Sequence, residues 1–145
     1  EDYAKYPRSY YLSISYEKGL LDENVASVVL NVENFTGGAH GSRYPISVNY
    51  DTKNKKEIKL TDLFAGQADY LQKISAYCVA DLKKQMAERL GEENIDSQWI
   101  EEGADQKSEN FSIFKINSDN TITFYFPEYQ VGPYAIGSFT VTMPR

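Results

Sequence analysis

Cysteine, histidine and tryptophan each occur once in this chain, and each scarcity closes off a class of chemistry. With Cys78 alone no intramolecular disulfide forms, and with His40 as the sole histidine neither a thiolate nor a histidine-rich metal site can be assembled. No metal and no cofactor are therefore expected. Nowhere do 18 apolar residues run together, so the sequence holds no helical membrane span, and no membrane contact by the domain itself is expected. Positive charge is also short: 15 basic residues face 21 acidic ones, for a net charge of −6, and they are scattered rather than gathered into a stripe. Nucleic acid is accordingly not an expected partner. Glu1 opens the chain without an initiator methionine, a charged leader or an apolar core segment. The sequence reads as a processed or trimmed product, with any signal, anchor or membrane helix lying upstream.

What is present is a chain of 145 residues, 41% hydrophobic, with 12 tyrosines. That length accommodates one continuous core, so residues 1–145 are expected to form a single domain. Tyrosine at this frequency suits sheets and binding surfaces. Leu12, Ile14 and Tyr16 alternate with Tyr11, Ser13 and Ser15, the pattern of a half-buried strand, and Val28, Leu30 and Val32 repeat it after a turn that Gly19 can supply. Thr36 to Ser42 is a glycine-rich break. Tyr44, Ile46, Val48 and Tyr50 resume the alternation, with Pro45 marking an edge or a bulge. Asp51 to Lys56 reads as a turn, and Glu57 to Leu60 as a short strand feeding Thr61 to Phe64.

From Asp69 the period changes. Leu71, Ile74, Cys78, Leu82, Met86 and Leu90 recur at three- and four-residue steps, predicting one long helix capped by Asp69 and stopped by Gly91. A shorter helix is expected around Ile95, Trp99 and Ile100, ending at Gly103. Strands return at Phe111 to Ile116, at Ile122 to Phe126 and at Phe139 to Met143. The order predicts an α+β fold: an antiparallel sheet of about six or seven strands, with one long and one short helix inserted between two strand groups.

Two loops concentrate residues suited to a site. Gly37 and Gly38 precede His40 and permit positive φ and close approach of a ligand to backbone. The segment lacks the strand, helix and terminal lysine of a phosphate loop. Tyr129, Gln130, Pro133 and Tyr134 form a stiffened aromatic loop with the contact chemistry of binding loops. Tyr44, just beyond the first loop, joins them in the expected ligand-binding set; no residue is expected to be catalytic. Each loop runs into a strand, so both are expected at one end of the sheet, with His40 within reach of Tyr129 or Tyr134. The alternative is a hydrolase in which His40 acts as general base on Ser42, Thr36 or Ser138, oriented by an acid such as Asp62. No Gly-x-Ser-x-Gly elbow is present to support it.

Thr36-Gly37-Gly38-Ala39-His40-Gly41, then Asn49-Tyr50-Asp51, Leu60 to Phe64, Trp99 to Gly103, Asn110-Phe111, and Tyr129 to Gly137 followed by Val141 to Pro144, resemble one family in order and spacing. It is the extracytoplasmic domain of unknown function shared by lysozyme-sensing anti-sigma factors of the RsiV type and peptidoglycan deacetylases of the PdaC type, in the latter as an accessory domain. Gly132 departs from the more usual alanine. The resemblance implies an α+β domain, exported to the periplasm, secreted, or tethered outside a bacterial membrane, that binds or senses without catalysing. It implies a lysozyme-like protein or a cell-wall glycan such as a peptidoglycan fragment as partner, and residues 1–145 as the C-terminal part of a larger unit.

Overall fold

The structure is a computed structural model that describes residues 9–145, so the reading of Glu1 lies outside the described residues. Strand β1 (Tyr11–Leu21) turns at Asp22, whose Oδ1 accepts from the N–H groups of Asn24 at 2.8 Å and Val25 at 2.7 Å, and returns as β2 (Val25–Phe35). Gly19 is not the turn residue. It lies within β1, where a Cβ would run into the carbonyl of Ile116, so its lack of a side chain serves a close backbone approach. Strand β3 (Ser42–Asp51) pairs with β2 along its length and with the two-residue β4 (Lys56–Glu57) only at Tyr50 and Asp51. Pro45 thus sits on an open edge, where its missing N–H costs no ladder bond.

The short strand expected over Glu57 to Leu60 is confined to Lys56–Glu57, and Leu60–Leu63 forms the one-turn helix α1, because Asp62 turns its carboxylate back to accept from the Lys59 N–H at 2.9 Å. Helix α2 (Tyr70–Leu90) follows the predicted stripe and ends at Gly91 with φ 84°. Its first residue is preceded by Asp69, which pairs with Lys73 at 3.0 Å instead of capping. The shorter helix α3 (Ser97–Gly103) is capped by Asp96, which accepts from the Trp99 N–H at 3.0 Å. Phe111 belongs to a 3-10 turn rather than to the strand β5 (Phe114–Ile116), which pairs with β6 (Thr121–Phe126), itself paired with β7 (Phe139–Pro144).

The fold is α+β, as expected, but the seven strands among the described residues divide into two antiparallel sheets, β1-β2-β3-β4 and β5-β6-β7. The core lies between the second sheet and the helices: Ile74, Cys78, Leu82 and Met86 of α2 meet Phe114, Ile116, Ile122, Phe124, Phe139 and Val141. Strand β5 crosses the first sheet with its free edge. The Ile116 N–H donates to Ser27 Oγ at 2.9 Å, and Asn49 Nδ2 donates to the Phe114 carbonyl at 2.8 Å. This use of the β5 edge is why the sheets stay separate.

One expectation is overturned. The strand expected to be half-buried is exposed on both faces from Tyr11 to Tyr16, and its apolar face points outward, with Leu12, Ile14 and Tyr16 66%, 55% and 63% exposed. The face that looks inward across β1 to β3 holds Ser13, Ser15, Glu17, Ser27, Asn31, Glu33, Arg43 and Asn49, together with Val29 and Phe35. What it meets is the polar edge of β5, and unpaired backbone groups demand hydrogen-bonding partners rather than hydrocarbon.

Candidate functional site

Gly37 and Gly38, with φ of 102° and 99°, bend the chain between β2 and β3 into a loop whose His40 lies exposed at its tip. The imidazole Nδ1–H donates to the Gly41 carbonyl at 2.9 Å, which leaves Nε2 as the open acceptor. Its ring stacks on Tyr134, with centroids 4.4 Å apart and planes at 29°. Tyr134 in turn meets Tyr129 at 5.7 Å, so the two loops, nearly a hundred residues apart in sequence, form one aromatic cluster.

The second loop is held from below. Trp99 Nε1–H donates to the Tyr129 carbonyl at 3.1 Å, and Gln130 Nε2 donates to the carbonyls of Gly103 and Asn110, both at 2.9 Å. At Gly103 a Cβ would collide with the Gln130 carbonyl, so α3 and the loop can approach only through a glycine. Tyr129 pays for its position with a left-handed backbone, φ 70°, which non-glycine residues rarely adopt. Pro133 is exposed and opens the 3-10 turn Tyr134–Ile136.

Beside the cluster, between the first sheet and β6–β7, lies a cleft of about 300 Å³ lined by Ser13, Ser15, Asn31, Glu33, Arg43 and Glu128, among others. At its rim Arg43 Nη2 and the Tyr11 hydroxyl both donate to Glu33 Oε1, at 2.9 and 3.0 Å. Those two bonds, Arg43's first, hold the Glu33 carboxyl below the usual carboxylate range, and the bond to Glu33 raises the Tyr11 phenol. Next to Asn31 and Tyr125 of the cleft lining, Glu17 accepts from Asn31 Nδ2 at 2.9 Å, Lys115 Nζ at 2.9 Å and the Tyr125 hydroxyl at 2.8 Å. Burial pushes its pKa up, but the three donors together outweigh burial and leave it lowered. Tyr125 is shifted strongly upward, by burial first and then by Glu17. The cleft therefore presents anionic and cationic groups and hydroxyls, with Glu128 and Gly137 of its lining at the two ends of the aromatic loop.

Of the expected site residues, Gly37, Gly38, His40, Tyr129 and Tyr134 come together. Gln130 serves the scaffold, with its amide committed to two carbonyls. Tyr44 stands apart from the rings, on the outward face of β3 with Ile46 and Val48 and opposite Val32 of β2, but it is among the residues that line the neighbouring cleft. Asp62, the acid considered as an orienter for His40, is bound to Lys56 Nζ at 3.0 Å and to the Lys59 N–H. The Tyr11, Glu33 and Arg43 fork escaped the sequence reading, since nothing local distinguishes these strand positions; the register that places Glu33 opposite Arg43 is the missing information.

Comparison with known proteins follows this geometry. Residues 61–145 match the model of a family described as a protein of unknown function, DUF3298. Over 134 residues the chain is 31% identical to the peptidoglycan-N-acetylmuramic acid deacetylase PdaC of Bacillus subtilis, covering 92% of this chain and 27% of that protein. A crystal structure of a DUF3298 member from Bacteroides fragilis aligns with a TM-score of 0.64 and 29% identity, over 94% of this chain and 51% of that one. A DUF3298 protein from Pseudomonas aeruginosa shares the fold, with a TM-score of 0.64 at 20% identity, over 93% of this chain and 58% of that one. The chain thus spans about a quarter of the curated relative and a little over half of the solved ones. With more than half of its residues inside the family model and its fold shared by solved members, the chain belongs to the DUF3298 family.

Proposed function

We propose that this chain is a noncatalytic binding domain of the bacterial cell envelope, exported across the membrane, whose ligand is a cell-wall glycan. The observation that carries the reading is the ring cluster of His40, Tyr134 and Tyr129, set next to a polar cleft whose lining includes Glu128 and Gly137 at the two ends of the aromatic loop. Aromatic rings offer flat contact to the C–H face of a sugar, while hydroxyl, carboxylate and guanidinium groups address its polar edge. Few rotors need freezing, because the loops are pinned by Trp99, Gln130 and glycine geometry. The relation to a protein named for deacetylating peptidoglycan is consistent with such a ligand. Against the hydrolase alternative, His40 has no carboxylate orienter among the described residues, and its Nδ1 is spent on its neighbour's carbonyl.

Net charge supports a second reading, a basic lysozyme-like protein as partner, since a charge of −6 would steer such a partner inward. Calorimetric titration with oligosaccharides of alternating N-acetylglucosamine and N-acetylmuramic acid tests the first reading. Saturable binding that Tyr134→Ala removes, with the fold intact by circular dichroism, is the expected result. Binding of a lysozyme with none of the glycan would transfer the assignment to the second reading. Turnover of envelope material abolished by His40→Ala would sink both.

A further inference from the structure

The first sheet is built inside out. Its inward face is dominated by polar side chains, whereas Leu12, Ile14 and Tyr16 of β1 and Tyr44, Ile46, Val48 and Tyr50 of β3 stand 39–66% exposed on the outward one. Register places them side by side: Ile14 is opposite Val32 and Val32 opposite Tyr44, while Tyr16, Leu30 and Ile46 form the next row. Contiguous apolar surface spread over one sheet face, unlike single exposed hydrophobes, marks a contact. Exposed hydrophobes scattered singly would need no explanation; three strands in register do.

The chain itself shows what fits such a face. Its second sheet, also antiparallel and with three strands of substantial pairing, buries its apolar side under the long helix α2 through Ile74, Cys78, Leu82 and Met86. The outer strands of three lie roughly 10 Å apart, the width of one helix, and an 11-residue strand runs roughly 35 Å, the length of a helix somewhat over 20 residues. The solved relatives supply the chain length: the aligned part is 51% and 58% of them, which leaves 49% and 42% of their polypeptide beyond it.

We propose that the outward face of the first sheet is the seat of an amphipathic α-helix of the same polypeptide, belonging to the part found in the longer relatives outside the aligned fold. The helix lays an apolar stripe of branched and aromatic side chains along the half-buried Val28 and Leu30, with its flanks against Ile14 and Tyr16 on one side and Tyr44 and Ile46 on the other. The completed domain is then helix, sheet, sheet, helix, with the polar seam of β5 at its centre and the glycan cleft at one end.

Hydroxyl-radical footprinting of the complete gene product beside residues 1–145 tests this independently of any ligand. In the shorter chain Leu12, Ile14, Tyr16, Tyr44 and Ile46 should label freely, and in the complete product at least fivefold less, with added helical signal in circular dichroism. Equal labelling in the two, or a complete product no longer than residues 1–145, would refute the proposal. So would protection in the shorter chain that is lost on dilution, which would make a second copy the occupant. A complete product carrying Ile14→Glu and Ile46→Glu should regain labelling at Tyr16 and Tyr44 while Tyr125, on the other side of the sheet, stays protected. Continued protection at Tyr16 and Tyr44 in that variant would count against an apolar seat.

Discussion

The Ser27 hydroxyl donates to Asn49 Oδ1 across 2.6 Å, between two neighbouring strands and fully out of solvent. That one contact sets both side chains for their work on β5, Ser27 accepting from the Ile116 N–H and Asn49 donating to the Phe114 carbonyl. The two sheets are joined here by hydrogen bonds where most sandwiches use hydrocarbon. Removal of the hydroxyl leaves the Ile116 N–H and Asn49 Oδ1 without partners in a site water does not reach. Ser27→Ala is expected to destabilise the fold by about 1–3 kcal/mol, read as a lowered urea midpoint at unchanged slope. A loss within a few tenths of a kcal/mol would mean that the seam is not a stabilising element.

Glu17 ties β1 to β5 and β6 through Lys115 and Tyr125, and its folded pKa is depressed relative to the unfolded chain. A depressed carboxyl contributes stability that is in place above its unfolded pKa, about 4.3, and is lost as pH falls through the folded value. Stability should therefore decline on acidification below that point. Glu17→Gln should be less stable near neutrality and show a flatter decline below about pH 4.3. Thermal melts from pH 7 down to 3 would read it, and parallel curves for the two proteins would remove Glu17 from the acid response.

Cys78 is inaccessible within the α2 stripe, and burial, then the nearby Asp81, pushes its thiol up to about 12. The thiolate is the reactive form, so neither access nor ionisation favours modification in the native state. Labelling by an aromatic disulfide reagent at neutral pH should be negligible on native protein and complete in denaturant, its rate tracking global unfolding. Rapid labelling under native conditions would show that α2 opens locally.

These three residues also mark what the sequence disclosed. Cys78 was placed correctly because a 3.6-residue stripe names the buried face of a helix directly. Strand alternation does less: it divides Tyr11 to Tyr16 into two faces but leaves open which one meets the interior. Here the apolar face turns outward, because the partner of the first sheet is a strand edge and not a hydrophobic layer. Tyr44 follows the first loop in sequence, but strand parity sets it on the outward face of β3, apart from the rings, while it still counts among the residues lining the cleft. Glu17 gave no local signal at all, its partners lying 98 and 108 residues away. Within the candidate site, glycine and proline punctuation made the His40 and Tyr134 loops visible. The Tyr11, Glu33 and Arg43 fork depends on cross-strand register, which no single strand encodes.

Charge and aromatic anchoring separate the two partners considered for this surface. A basic protein approaching a domain of net charge −6 is accelerated by long-range attraction, whereas a compact glycan gains little from it. Raising salt from physiological strength to 1 M shrinks the Debye length from ~8 Å to ~3 Å. Association of a lysozyme-like protein should then slow by about tenfold or more while dissociation changes little. Glycan binding should hold nearly constant over the same series. Tyr134→Ala acts on the other rate, because it removes the ring that both stacks on His40 and touches Tyr129. The off-rate of either ligand should rise on the order of tenfold, about 1.4 kcal/mol, as for a buried aromatic anchor. Surface-immobilised domain challenged with both ligands across the salt series reads the two effects together. An off-rate untouched by Tyr134→Ala would place the contact elsewhere on the molecule, whichever ligand is bound.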